Sequence, residues 1–396
     1  RLVRSRGLGD VYKRQIKDDY MKAYRNILAV LLAIVISFSF PCISFALDDT
    51  AVQEIEVRTV EERAEEILSS MTLEEKVAQM FMVYMPNKKA TAIQKKYQFG
   101  GYLLFANNFK NNSYKKKQSQ IKAYQKASKL NMLIAVDEEG GTVNRVSIYK
   151  QYRKSPFLSP QKLNKKGGLP NIRKDTKSKA KLLLDLGINT NLAPVADTPY
   201  SKRDYIYYRT FSTSSKKNSK YIKTVIKEMG KNNLVSTLKH FPGYGNNGDT
   251  HSQIIRDKRK LSTFKSRDLL PFKAGIKAGA DMIMVSHNIV DAFDKKYPAS
   301  LSKKVHKYIR NEMNYDGVII TDGLGMNGVV DFVGGDKGEA AIKSVLAGND
   351  MLCANNYKIQ YPAVLKAVKD GKIKEKQIDE SVKRILILKL NRKIIK

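Results

Sequence analysis

Lys239-His240-Phe241-Pro242-Gly243-Tyr244-Gly245-Asn246-Asn247-Gly248-Asp249-Thr250-His251 follows directly on the apolar run from Leu234 to Leu238. It gathers two of the chain's four histidines, a lysine, an aspartate and three glycines. A strand that ends in a glycine-bearing, ionisable loop is where α/β barrels place their chemistry. Seven other short apolar or β-branched runs stand at 80–84, 101–105, 133–136, 188–194, 282–286, 317–321 and 350–354. With 235–239 they make eight. Helical patterns lie between or beside them at 53–70, 116–130, 174–186, 216–232, 263–279, 301–313, 336–347 and 376–391. A capping box, Thr72 with Glu75, opens one more that runs through Met80. Strand alternating with helix predicts parallel strands with crossovers, and eight strands predict a closed (β/α)8 TIM-type barrel in one catalytic domain. A doubly wound open sheet is the competing architecture. No Gly-x-Gly-x-x-Gly opens the first helix, which counts against a dinucleotide fold.

Nearly every run ends in polar residues. Asp137-Glu138-Glu139 follows Val136, Asp197 follows Val195, His287-Asn288 follows Ser286, and Asp322 follows Thr321. In a parallel barrel these ends converge on one face. The stretch 148–173 is irregular and basic and holds Pro156, Pro160 and Pro170, so it reads as a long loop over the barrel mouth.

The chain has 396 residues, 42% of them hydrophobic, enough for a sizeable core. Residues 1–20 precede the first methionine, Met21, and read as translated upstream sequence. Residues 21–46 read as a secretory signal: Lys22 and Arg25, a charge-free run from Ile27 to Phe40, then Ser44-Phe45-Ala46 with small residues at the cleavage positions. An uncleaved anchor is the alternative, weakened by Pro41 and by Ser37, Ser39 and Ser44. Residues 47–396 are then the exported domain, with Cys353 its one cysteine and no internal disulfide. The net charge of +34 favours anionic partners such as wall polymers. Compositional drift toward Lys, Asn, Ile and Tyr, with solubility, is the favoured explanation over a dedicated polyanion site. No nucleic-acid motif is present, so no specific nucleic-acid partner is expected. The chain is expected to act as a monomer.

Two groups suit glycoside chemistry. Asp322, at a buried strand end before Gly323, is a carboxylate held by a rigid element and open to a pocket. Such a group can attack an anomeric carbon, or it can simply cap the next helix. Asp249 and His251 form an Asp-x-His pair that a tight loop can turn to one side. Asp249 then holds the imidazole while His251 exchanges a proton with the leaving oxygen and with water. Lys239, His240, Arg209, and Asp137 with Arg145 beside it supply donors and acceptors for sugar hydroxyls. A core histidine and structural salt bridges are the plainer readings of the same residues.

Together these segments resemble glycoside hydrolase family 3, in its β-N-acetylglucosaminidase branch. The matching pieces are 71–80, Ile134 to Gly141, Asn191 to Asp197, Arg209 to Phe211, Lys239 to Gly243, Asp249 to His251, and Ile320 to Asp322 with Met326. The resemblance implies Asp322 as nucleophile, the Asp249–His251 dyad as acid/base, and Asp137, Arg145, Arg209, Lys239 and His240 as contacts to the sugar ring. It also implies a retaining reaction on terminal β-linked N-acetylglucosamine, with no metal or organic cofactor, and peptidoglycan fragments as substrate. Three positions depart from the family: Gly323 stands where a second Asp is usual, Thr142 where an Arg is common, and Tyr244 where a His is frequent. Family-3 β-glucosidases take their acid from a downstream domain. Too few residues follow Asp322 for a C-terminal α/β sandwich domain, so the acid is expected from the barrel's own loops. Transfer to phosphate instead of water, and a non-catalytic wall-binding role, are the alternatives.

Overall fold

A computed structural model describes residues 58–396. The readings for residues 1–20 and 21–46, and the start of the first helix at 53, lie outside the described residues. Eight parallel strands form one sheet: β1 (Phe81–Tyr84), β2 (Gly101–Leu103), β3 (Leu133–Val136), β4 (Thr190–Asn191), β5 (Val235–Phe241), β7 (Met282–Val285), β9 (Val318–Thr321) and β10 (Leu352–Ala354). β10 pairs with β1, and a bridge between Ile320 and Met351 joins β9 to β10, so the sheet closes on itself. Two short strands, β6 (Arg256–Asp257) and β8 (Ile289–Val290), pair with each other outside the barrel. All eight predicted strands are present, each within a few residues of its predicted bounds.

Several strands are apolar along their whole length because both faces are covered. Leu133 to Val136, Met282 to Val285 and Val318 to Ile320 are all buried in one continuous core. The helices Val60–Ser69 and Leu73–Gln79 each start on the capping box their sequence spells, Thr59 with Glu62 and Thr72 with Glu75. They meet the last helix, Glu375–Asn391, where Lys76 pairs with Asp379 at 2.8 Å. Among the described residues no helix is long and apolar enough to cross a membrane.

The 148–173 reading needs correction. Residues from Pro160 are helical, capped by Ser159, whose Oγ accepts from the Lys162 amide. The backbone breaks at Gly167 and Gly168, and a second helix then runs to Asp185. Pro160 and Pro170 were loop signals only on the assumption that proline breaks helices. Pro160 is the first residue of its helix and Pro170 lies two residues past Gly168, in the first turn after the break, positions where the missing N–H costs little. Two helices, Ala90–Tyr97 and Tyr357–Lys369, were not predicted at all.

The two ends of the barrel differ in what their carboxylates do. At the N-terminal ends, Asp281 is tied to Arg392 and Ser236, and Asp350 to Arg310, Arg384 and the Ile319 amide. At the C-terminal ends, Asp137 and Asp322 face a cavity of about 550 Å³. Such a volume suits a small ligand.

Candidate active site

The floor of this cavity is a charge cluster built from three strand ends. Lys239, the fifth residue of β5, is 2% exposed and places its ammonium 2.7 Å from Asp137 Oδ1 and 2.6 Å from Glu139 Oε1. Arg209, from the segment after β4, forks onto Glu139 with contacts of 2.7 and 3.0 Å. Burial alone would push the Glu139 carboxyl up, but Arg209 and Lys239 outweigh it and hold the group well below the usual carboxylate range. Burial likewise opposes the charge on Lys239, and Asp137 and Glu139 reverse that, leaving its pKa raised. Glu139 and Lys239 are therefore both held in their charged forms. Arg145 sits farther from Asp137, with Nη2 3.9 Å from the other oxygen, Oδ2. Its Nε is buried and has no hydrogen-bond partner among the described residues.

Glu138 faces away from the cavity. It accepts from the amides of Arg145, Val146 and Ser147 at 2.7 to 3.1 Å and from the Ser147 hydroxyl. It thereby shapes the turn that carries Arg145.

Alternation along a strand predicts opposite directions for Lys239 and His240. Both nevertheless line the cavity, since the register between β5 and β7 shifts between Leu238 and Phe241. Asp197, fully buried, fixes the second of the pair. Its Oδ2 accepts from His240 Nδ1 at 2.7 Å and from the His240 amide at 3.1 Å, and its Oδ1 accepts from the Tyr244 amide at 2.7 Å. Arg209 offers only donors, and its Nη2 lies 3.2 Å from His240 Nε2. The imidazole hydrogen accordingly sits on Nδ1, facing Asp197.

Asp322 follows β9 directly. Its Oδ1 accepts from the Gly323 amide at 2.7 Å, while the Gly323 carbonyl meets His287 Nε2 at 3.0 Å. Burial works against its charge, but the imidazoles of His240 and His287 and the Gly323 amide prevail, and the pKa lies below the usual value. Asp322 is thus a carboxylate whose Oδ2 accepts from no donor among the described residues. It does not cap the following helix Asn327–Val330, which has no side-chain cap.

The third part is the loop after β5. Asp249 Oδ1 accepts from the His251 amide at 2.9 Å and lies 2.6 Å from His251 Nδ1, so one carboxylate fixes both backbone and ring. The His251 side chain is 60% exposed and lines the cavity that holds Asp322. Burial raises the Asp249 pKa, but hydrogen bonds from the His251 amide and ring overcome this and the carboxyl titrates low. The loop is tied at both ends. Arg259 donates to the Gly243 carbonyl at 2.8 Å and pairs with Asp257 and Asp268. The carbonyls of Thr250 and His251 accept from the amides of Gly328 and Asn327, just past Asp322. Gly245 has φ +58°, and a β-carbon there would stand 2.1 Å from Arg259 Nη1, so the turn requires glycine.

All eight predicted site residues belong to this one region. Asp137, Arg145, Arg209, Lys239, His240, His251 and Asp322 line the cavity, and Asp249 holds His251. Residues without an assigned role in the sequence also appear. Glu139, Asp197 and His287 were visible as strand-end polar residues, but nothing in the sequence gave their partners. Tyr84 and Tyr205 were not distinguishable from core aromatics. Cys353 also faces the cavity, and burial holds its thiol well above the ordinary value, hence protonated.

Comparison with known proteins agrees with this architecture. Residues 72–388 match the glycosyl hydrolase family 3 N-terminal domain. The beta-hexosaminidase A of Pseudoalteromonas piscicida is 31% identical over 336 residues, covering 78% of this chain and 56% of that protein. The beta-hexosaminidase of Idiomarina loihiensis is 32% identical over 291 residues, covering 72% and 85%. Among solved structures, a glycoside hydrolase family 3 beta-N-acetylglucosaminidase from Paenibacillus superposes with a TM-score of 0.75 at 28% identity, over 82% of this chain and 63% of that one. The chain therefore spans little more than half of some relatives and most of others. A closed parallel barrel with strand-end carboxylates on its open rim and a domain match over residues 72–388 lead to one assignment: the chain belongs to glycosyl hydrolase family 3.

Proposed function

We propose that this chain is a retaining exo-β-N-acetylglucosaminidase acting by double displacement. The observation that carries the reading is the shared cavity of Asp322, ionised and with Oδ2 free, and the Asp249–His251 pair. Asp322 Oδ2 attacks the anomeric carbon as the bond to the aglycone oxygen breaks. His251 gives its Nε2 proton to that oxygen, while Asp249 supports the ring through Nδ1. A glycosyl-enzyme ester forms on Asp322. Water then adds to the anomeric carbon, its proton passing to His251, and the ester bond breaks to free the carboxylate and the sugar with its configuration retained. Lys239, Arg209, His240, Asp137 and Arg145 line the floor as contacts for ring hydroxyls.

The names of the curated relatives support the choice of N-acetylglucosamine among sugars. The export signal read at 21–46 supports a substrate outside the cell, and we propose β-linked N-acetylglucosamine ends of peptidoglycan fragments. The test uses an aryl β-N-acetylglucosaminide with a good leaving group. His251→Ala retains slow turnover of it, because acid assistance, typically worth about 10²–10⁴-fold, is least needed there. Asp322→Ala does not turn it over. Equal loss in both variants removes the assigned roles. Defined muropeptides and chito-oligomers, digested with and without phosphate and read by mass spectrometry, identify the aglycone and the acceptor.

A further inference from the structure

β1 ends on Tyr84, whose half-buried side chain stands in the cavity wall, edge-on to Phe105 with ring centroids 4.7 Å apart. A β-carbon built on Gly323 would lie 2.3 Å from the Tyr84 hydroxyl. The next nearest atoms, Tyr84 Cζ and Met326 Cγ, are at 3.6 and 3.8 Å, ordinary contact distances. The hydroxyl alone therefore excludes a side chain from position 323. Gly323 has little freedom to move aside. Its amide holds Asp322 Oδ1 and its carbonyl holds His287. Nor is Tyr84 free to swing, with its ring packed on Phe105.

The hydroxyl has a further property. The polar group beside it in the wall is the Cys353 thiol, a weak acceptor. Burial, with the carboxylates of Asp322 and Asp137 nearby, keeps the phenol protonated. It is a donor beside the nucleophile with no strong acceptor among the described residues.

We propose that Tyr84 is a sugar-binding residue, its phenol donating to a hydroxyl of the ring held at Asp322 and filling the room that a side chain at position 323 would need. The proposal rests on the glycosidase reading above. It also gives a reason for the family departure at Gly323: glycine there is the counterpart of tyrosine at the end of β1.

The test has two arms, run on an aryl β-N-acetylglucosaminide and its monodeoxy analogues. Tyr84→Phe is expected to lower kcat/KM roughly 3- to 10-fold, the range for one hydrogen bond to a neutral group. That penalty is expected to vanish on the one analogue lacking the bonded hydroxyl. Gly323→Ala is expected to lose more, because the new β-carbon displaces the phenol. Adding Tyr84→Phe to Gly323→Ala is expected to recover activity, since only the hydroxyl is in conflict. A Tyr84→Phe penalty equal across all analogues, no penalty at all, or a double variant no better than Gly323→Ala overturns the assignment and leaves the glycosidase reading standing. A wild-type chain inactive on every glycoside overturns both.

Discussion

Asp197→Asn is nearly isosteric, yet it should be among the most damaging single changes in this barrel. Asp197 is fully buried and its two oxygens meet three donors: the His240 amide, His240 Nδ1 and the Tyr244 amide. Asparagine brings one acceptor oxygen and one donating amide to a place where only acceptors fit. If its oxygen serves Tyr244, its NH2 faces the His240 amide, which cannot switch roles. One buried N–H is then orphaned, at about 1–3 kcal/mol, and the charge-assisted bond to the imidazole is lost as well. Together these amount to roughly 2–4 kcal/mol. The ring can escape by moving its hydrogen to Nε2, but that nitrogen lies 3.2 Å from Arg209 Nη2, which only donates. Arg209 is then displaced from the floor of the cavity. Urea unfolding followed by tyrosine fluorescence measures the stability loss, and kcat/KM on an aryl glycoside measures the displaced floor. Asp197→Ala is the comparator. It removes the acceptors without introducing a wrong donor and leaves room for water, so Asn should be no better than Ala. An Asn variant with wild-type urea midpoint and KM would refute the reasoning.

Lys389 is fully buried with Gln79 Oε1 as its acceptor, and burial pulls its pKa down to about 7. The unfolded chain binds more protons between that value and the ordinary lysine pKa, so stability rises with pH across this window. Lys389→Met should therefore gain most below pH 7 and lose that advantage by pH 10, a difference on the order of 2–4 kcal/mol in paired urea titrations. Glu139, held low by Arg209 and Lys239, contributes stability that is present above the unfolded carboxyl pKa and lost as pH falls toward its folded one. Glu139→Gln should unfold more easily at pH 7 and show a flatter acid limb below about pH 4, measured by the same titrations.

Much of the barrel was legible because period and punctuation agree. Each strand is a short apolar run, each is followed by an ionisable residue, and capping boxes mark two helix starts. The converse failures have specific causes. Prolines at 156, 160 and 170 read as loop, but whether proline breaks a helix depends on its place within the turn, which the sequence does not mark. In the site, residues with two chemical groups in one short motif were found: Asp249 with His251, Lys239 with His240. Asp197 and Glu139 were seen and left without a role, because their partners lie 43 and 70 residues away and one set is backbone amide. Arg145 was paired with Asp137 on nearness in sequence, whereas Lys239 reaches Asp137 across 102 residues and takes the shorter contact. That contact exists only once the sheet brings the ends of β3 and β5 to one face.

The same closure explains how an exposed histidine can be placed accurately. His251 is mostly in solvent and lies on a loop, and a loop is ordinarily a poor platform for proton transfer. Its anchors come from three places in the barrel. Asp197, beyond β4, holds the Tyr244 amide, and Arg259 with Asp268 holds the Gly243 carbonyl. The amides of Asn327 and Gly328, beyond β9, hold the carbonyls of Thr250 and His251. The last anchor lies five and six residues from Asp322 in the same chain segment. Acid and nucleophile are thus fastened to one another through backbone, not merely to a common scaffold. A displacement of the loop that loosens His251 must break bonds to the segment carrying Asp322, so the two groups keep their relation even though only one of them is buried in the barrel wall.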